Sequence, residues 1–524
     1  MGWYTRLSRA WLDTRYRRTT PEGIYYAHNP IYGIGSPCSD PDGLACLART
    51  FQILKILNRV RFGTLLDVGG SEGFLADLVQ RLFATEAVSG DLSVEACKRA
   101  IDLHGVETVA LDSARLPFPD ASFDVVVCSE VVEHVEFPVE TLLEIDRVAR
   151  SVLIVTSQEF CRDRNEAEGY LSKRRDLPHT ERNYLSLADL HLVHGDGVRC
   201  FPEYRSSLLR PQSRGIPDQG TAEISLREAT APASFAEDGV GAILLKSRSP
   251  RSARSAVHSE EHLLGDLLSS RRPPIPLPRV ERAMPSAMLL SRLVCPCCRR
   301  ELLFEEDRLR CKGCSRRYPI EAGIPVLQPA DDSDPTDDEL LSRLRPQTPG
   351  DHARAQALLE LRRRLALPEP ARQSEWDFSR SEDRDRWQAN GELSIRSDAR
   401  DAFHWSSTGD DPWILSPVIV LPSGGVASIA VTMRVHNPGY PPDAAQAQLF
   451  WLGEGDFTFT ESNAVTFSPR NDGRVHTYEV QVGGHPGWPR GGSGAWLRFD
   501  PVNGPAEVDL YSLRILPREA GPVE

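Results

Sequence analysis

The chain has 524 residues, 40% of them hydrophobic and 26% charged, with a net charge of −13. That length and balance suit two to four globular domains and exclude a disordered or collagen-like chain. The acidic excess argues against a large DNA or other nucleic-acid footprint, and no apolar run of about eighteen residues is available for a transmembrane segment.

The first residues, Met1 to Arg6, lack the apolar core and cleavage site of a signal peptide, so a cytoplasmic protein is expected. The eleven cysteines agree: five crowd between Cys295 and Cys314 and six are scattered. This suits a reducing compartment and one metal site better than a disulfide framework.

Residues 1–45 form a leader rich in aromatic residues and arginine. Trp3 to Arg18 has helical spacing. Two readings stand: a lid or acceptor wall over a ligand crevice, or a helix docked on the main domain. The loop from Gly23 to Gly33 mixes tyrosines with His28 and Asn29, a composition suited to a substrate pocket.

The main domain spans 46–250. Leu65-Leu66-Asp67-Val68 is an apolar run, followed by Gly69-Gly70-Ser71-Glu72-Gly73 and an apolar-periodic segment from Phe74. This order predicts strand, tight loop and helix. Glycine lets backbone approach a ligand, and the helix points free N–H groups at it. Asp67 stands at the carboxyl end of its strand, where open α/β sheets bind ligands. A second strand, Ala87 to Gly90, ends in Asp91-Leu92, about twenty residues after the loop, the spacing that places an acid on a ribose diol. A third ends in Asp112-Ser113-Ala114. Val125 to Cys128 reads as a buried strand running into Ser129-Glu130-Val131-Val132-Glu133-His134, and Ser151 to Thr156 as another. Alternating strands and helices predict a parallel sheet covered on both faces. A nicotinamide dehydrogenase would need G-x-G-x-x-G directly after the first strand, a spacing that Gly69, Gly70 and Gly73 do not meet.

Phe51 to Ile154 resembles class I S-adenosylmethionine (SAM)-dependent methyltransferases, most of all the type 11 group that includes ubiquinone and menaquinone methyltransferases. Asp67 to Gly73, Asp91, Asp112, Leu116 to Asp124 and Glu130 to His134 carry the resemblance. It implies that SAM is the methyl donor. Asp67, Gly69, Gly70, Ser71 and Gly73 would cradle its methionine part, Asp91 would hold the ribose hydroxyls, and Asp112 would face the adenine amino group. Leu92, Ser113, Ala114 and Ser129 complete the expected cofactor set. Ser71 departs from the pattern, standing where the second glycine is usual. His134, at the crevice edge, is the candidate general base, with packing beneath the cofactor as its structural alternative. Glu130 and His179 are second choices. By the same resemblance, residues 158–238 build the acceptor site, where His179 and Glu181 either orient an acceptor or serve as capping and surface residues.

Residues 251–287 are rich in Ser, Arg and Pro and read as a linker. In block 288–330, Cys295-Pro296-Cys297-Cys298 and Cys311-Lys312-Gly313-Cys314 give two C-x2-C pairs twelve residues apart. Cys295, Cys298, Cys311 and Cys314 are therefore expected to hold a structural Zn2+, with Cys297 spare. With Tyr318 to Leu327 the block is similar to the small zinc-ribbon domain that activates tRNA, rRNA and protein methyltransferases. Residues 331–372 read as a helical spacer.

Residues 373–520 alternate short strands with Gly/Pro/Asn/Asp turns, predicting a β-sandwich or jelly roll. Seven of the nine tryptophans lie here. They either stack on sugar faces, giving a glycan contact, or pack the sandwich core. The domain is similar in architecture to jelly-roll modules of carbohydrate-binding enzymes.

The expected protein is multidomain: a Rossmann-like α/β methyltransferase domain, a zinc ribbon and an all-β sandwich. The expected function is SAM-dependent methylation of a small-molecule or saccharide acceptor, with cell-surface polysaccharide biosynthesis as the setting. The alternatives are an RNA or translation-factor methyltransferase and an inactive scaffold or binding protein. A basic face around the crevice would favour RNA; an acidic one counts against it.

Overall fold

The computed structural model describes residues 2–26, 41–171, 177, 179–195, 197–205, 226–231, 239–248, 253–270, 275–276, 284–328, 334–368, 370–390, 393–396, 401–407, 409, 411–437, 439, 441, 445–453, 456 and 458–518. His28 to Gly33 of the leader loop, most of the proline-rich stretch 271–278 and much of 206–238 lie outside the described residues. The chain divides into two compact units, Met1–Arg175 with His179–Ala366, and Leu367–Glu524 with Asp176–Pro178.

The first unit is built on one eleven-stranded sheet. Its centre is parallel: β1 (Thr64–Val68), β2 (Glu86–Asp91), β3 (Glu107–Leu111), β4 (Phe123–Ser129) and β5 (Ala149–Ser157) lie in the order β3-β2-β1-β4-β5. The order reverses between β1 and β4, so their carboxyl ends open a crevice where ligands bind in such sheets. Beyond β5 follow β7 (Ala242–Ser247) and then β6 (Val198–Phe201), with β7 antiparallel to both neighbours.

The apolar runs form strands because both faces are covered. Leu66, Val68, Val126 and Cys128 pack into a core on one face; Leu65, Val125, Val127 and Ile154 pack into the other. Helices α2 (Pro41–Leu57) and α3 (Phe74–Phe83) supply the second core, with a further helix, Glu260–Ser269, inserting Leu263, Leu264, Leu267 and Leu268. Each such side chain contributes about 1.5–3 kcal/mol by leaving water, enough to hold this short helix against the domain. Helix α4 (Val94–His104) is capped by Ser93, whose hydroxyl accepts from the Ala96 N–H, and ends at Gly105 in the left-handed conformation. Helix α5 (Pro138–Val148) covers the first face.

The cysteine-rich block is not a separate bead. Its four strands, β8 (Leu302–Glu305), β9 (Arg308–Cys311), β10 (Arg317–Glu321) and β11 (Ile324–Leu327), extend the same sheet. β11 runs parallel to β3, with Val326 opposite Ala110 and Leu327 opposite Leu111. The ribbon thus occupies the edge of the sheet that would otherwise expose unpaired N–H and C=O groups. The helix Pro349–Leu365 buries Leu358, Leu361 and Leu365 in the core shared with α5.

The second unit is a sandwich of two antiparallel sheets, six strands each among the described residues. Ile429, Val431 and Met433 from one sheet meet Leu449, Leu497 and Phe499 from the other. Trp376, Trp387, Trp405, Trp451 and Trp496 are all buried, at most 4% exposed. Their rings fill the core and offer no open face to a sugar, which corrects the stacking expectation for these five. No described helix in either unit is long and apolar enough to cross a membrane.

Candidate active site

The glycine loop sits between β1 and α3 at the crevice. Gly69 and Gly73 have φ of +73° and +79°, which only glycine adopts freely. A Cβ on Gly69 would lie 2.1 Å from Val131 Cγ2, so the loop approaches the segment after β4 as closely as backbone can. Ser71 also takes a left-handed φ of +53°, which is why glycine is usual there. Two hydrogen bonds hold it: its N–H donates to Asp91 Oδ2 (2.9 Å), and its hydroxyl lies 2.6 Å from that of Tyr16.

Asp91 ends β2. Its other oxygen accepts from the Ser93 N–H at 2.8 Å. Burial pushes its carboxyl up to about 6, against the hydrogen bonds from Ser93 and Ser71. Asp67 is raised to about 7, by burial first and then by Asp91. Asp112 is raised by burial; its Oδ1 accepts from the Ala114 N–H at 3.0 Å.

Gly69, Ser71, Asp91, Leu92, Asp112, Ser113 and Ala114 line one cavity. Asp67, Gly70 and Ser129 line a second beside it, which shares Gly69 and Ser71 with the first. Gly73 lines neither; it lets α3 pass Ala100, whose Cβ would be 2.8 Å from a side chain there. The first cavity fits SAM by the chemistry of its groups. Asp91 and Asp112 accept from hydroxyl and amino donors, Leu92, Leu111 and Val131 offer apolar surface to a flat base, and Gly69 leaves backbone bare.

The leader supplies the cavity's roof. Helix α1 (Trp3–Tyr16) places Tyr4, Thr5, Ser8, Leu12 and Tyr16 in its wall. Its first turn is held by Glu136, a buried carboxylate that accepts from the Thr5 N–H (2.8 Å) and hydroxyl (2.7 Å). Its C-terminal end is held by Arg99, buried on α4, which donates to the carbonyls of Tyr16 (2.7 Å) and Arg18 (2.9 Å) and pairs with the buried Glu72. A carboxylate at the N-terminus and a cation at the C-terminus both complement the helix dipole. The helical spacing of Trp3 to Arg18 and a lid role were legible in the sequence as one of two readings; the anchors Glu136 and Arg99 were not.

His134, Glu130 and His179 come together and line both cavities. The His134 ring stacks on His179 (4.3 Å between centroids), which stacks on Trp11 (4.8 Å). His134 Nδ1 lies 3.2 Å from the Thr180 carbonyl. A carbonyl only accepts, so in the neutral ring Nδ1 carries the proton and Nε2 keeps its lone pair. Burial lowers the His134 pKa, with Glu181 opposing. Glu130 and His179 take left-handed φ of +55° and +52°; with Ser71, three such residues converge here. Glu130 forms an ion pair with Arg49 (3.0 Å), which also pairs with the buried Glu203 (3.0 Å).

In the ribbon, the sulfur atoms of Cys295, Cys298, Cys311 and Cys314 all lie within 4.8 Å of one another. The pairs Cys295–Cys314 and Cys298–Cys311 are 3.6 and 3.3 Å apart, near the roughly 3.8 Å edge of a tetrahedron with Zn–S bonds of about 2.3 Å. The Gly313 and Cys314 N–H groups donate to Cys311 Sγ (3.2 and 3.4 Å), as in a metal knuckle. Cys297 stands outside the set, 3.4 Å from the Tyr318 hydroxyl.

Residues 66–152 match the family model described as a methyltransferase domain, and 286–323 match that of Trm112p-like proteins. A UPF0434 protein of Methylobacillus flagellatus is 49% identical over 43 residues, 8% of this chain and 72% of that protein. The chain belongs to the methyltransferases through its α/β domain and to the UPF0434 family through its ribbon. It is a SAM-dependent methyltransferase with a structural zinc site. Among solved structures, a complex of the Haloferax volcanii Trm112 methyltransferase activator with a proposed methyltransferase is 16% identical (TM-score 0.27), covering 38% of this chain and 88% of that one. Phosphoethanolamine N-methyltransferase 2 of Haemonchus contortus is 17% identical (TM-score 0.27), covering 38% and 52%.

Proposed function

We propose that this methyltransferase binds SAM in the cavity roofed by α1 and transfers its methyl group to a small-molecule acceptor in the neighbouring cavity. The observation that carries this reading is the shared wall: Gly69, Ser71, Glu130, His134 and His179 line both cavities, so a donor and an acceptor would meet across them. Gly69 and Ser71 in the shared wall, with Gly70 beside them at the edge of the second cavity, would hold the methionine part, Asp91 and Leu92 the ribose, and Asp112, Ser113 and Ala114 the base. Asp67, Gly73 and Ser129 would shape the loop and its surroundings. SAM supplies an activated methyl group. The chain's task is to align the acceptor and take one proton. His134 Nε2 is the general base, His179 holds its ring by stacking, and Glu130 fixes Arg49 across the second cavity.

A second reading, an RNA or translation-protein acceptor, draws on the Trm112p-like ribbon. The carboxylates around the second cavity oppose it for RNA, since phosphates would be repelled there. The free cysteines among the described residues support a cytoplasmic setting. The test is calorimetry with SAM followed by transfer of tritiated methyl to fractionated metabolites, glycans and RNA. Binding with label in small molecules is expected. Absence of SAM binding overturns the reading, and label confined to RNA overturns its acceptor.

A further inference from the structure

The second cavity has an unusual charge balance. Five carboxylates line it: Asp67, Glu130, Glu133, Glu159 and Glu181. Arg49 is the one arginine or lysine among the described lining residues, and Glu130 and Glu203 already pair with it. Glu133 is 2% exposed, and its Oε2 has no hydrogen-bond partner. A buried carboxylate oxygen left unpaired keeps the cost of losing its water, so such groups are satisfied by a partner when the site is filled. Burial, with Glu130 adding repulsion at both, raises the Glu133 carboxyl well above its usual range and that of Glu159 to about 7, so a cation bound beside them would favour their ionised form.

We infer that the acceptor is an aliphatic amine that enters as an ammonium ion, held by Glu133 and Glu159, and that methylation falls on its nitrogen. This rests on the methyltransferase function proposed above. A neutral polyol would donate hydrogen bonds without offsetting the mutual repulsion of the ionised carboxylates, and an anionic acceptor would add to that repulsion. An ammonium group supplies both hydrogen-bond donors and charge. For transfer, the ammonium gives one proton to His134 Nε2. Its nitrogen lone pair then forms the N–CH3 bond. The S–CH3 bond breaks with its electron pair staying on sulfur, and the sulfonium becomes a neutral thioether. Charge balances: the positive charge carried by the sulfonium passes to the methylated nitrogen.

The test compares matched acceptors on the full-length, zinc-loaded protein with tritiated SAM: putrescine against butane-1,4-diol, and glucosamine against glucose. A short lysine-containing peptide separates a small amine from a protein side chain. Label in the amines and not in their hydroxyl counterparts is expected. Label in the diol or glucose, or none in any amine or the peptide, overturns the inference. Calorimetry with SAM separates the two levels: binding without amine transfer removes only the acceptor class, whereas no binding removes the proposed function itself. Glu133→Gln should raise the KM for the methylated amine about tenfold, the size of one lost charge contact, with SAM affinity unchanged. Glu159→Gln should act in the same direction and serves if the first variant does not fold. Unchanged KM in both overturns the assignment.

Discussion

The Tyr16 hydroxyl lies 2.6 Å from the Ser71 hydroxyl, joining the last turn of the leader helix to the tip of the glycine loop. The two residues are 55 positions apart. Ser71 needs this support because its backbone holds a conformation that glycine adopts more readily. The leader is therefore part of the wall of the cavity proposed to hold SAM, and its removal would be felt in binding.

Tyr16→Phe deletes that one hydroxyl contact and keeps the ring that packs on Arg99. A lost hydrogen bond of about 0.5–1.5 kcal/mol corresponds to a rise in the SAM Kd of about two- to tenfold. Calorimetry measures it. An unchanged Kd would show that the leader does not order the loop.

Asp91→Ala removes a carboxylate that holds the Ser71 and Ser93 N–H groups as well as facing the cavity. Hydrogen bonds to a charged group contribute about 1.5–3 kcal/mol each, so SAM affinity should fall by about a hundredfold or more. A Kd within threefold of the parent, on the order of 0.7 kcal/mol, would break the assignment of Asp91 to the cofactor.

Glu136→Gln tests the anchor of α1 through pH. Burial raises Glu136 to about 7 from its ordinary 4.5, against the two Thr5 hydrogen bonds. A carboxyl raised in the folded state binds its proton more tightly there than when unfolded. The parent protein therefore loses stability from this group as pH rises from about 4.5 to 7, and the loss is complete above 7. Glutamine keeps an acceptor for Thr5 and carries no charge. The thermal midpoint of the variant relative to the parent should therefore be higher at pH 8 than at pH 5. A difference independent of pH would mean that Glu136 is not buried as an acid.

Zinc removal should loosen more than the ribbon. β11 pairs with β3, and Asp112 follows β3 directly. A structural Zn2+ contributes its binding energy to folding. Cys298→Ser or prolonged chelation should lower the thermal midpoint, release about one zinc per chain in a colorimetric assay, and weaken SAM binding. Loss of zinc with no change in SAM affinity would uncouple the ribbon from the cofactor site.

The parallel sheet, the glycine turn and the cysteine knuckles were legible because each is written in short range. Val125 to Cys128 is apolar on both faces within four consecutive residues, and each C-x2-C pair brings two thiols to one turn. The tryptophans of the C-terminal domain were ambiguous, since core packing and sugar stacking use the same residue type at the same strand periodicity; burial assigned Trp376, Trp387, Trp405, Trp451 and Trp496 to the core. Glu133 gave no signal of its own beside Glu130 and His134, because only the fold shows which carboxylates share a cavity.

Local order along the chain thus determined the methyl-donor fold, the loop that serves it and the four thiols of the ribbon. Adjacent residues set strand, turn and helix through backbone conformation and hydrophobic period, which need no distant partner. Only the tertiary structure decided that Tyr16 closes over Ser71, that β11 completes the sheet beside β3, and that Glu133 and Glu159 face a common space. Those relationships depend on packing between segments tens to hundreds of residues apart. Burial and charge act there through distance in space, which no spacing along the chain encodes.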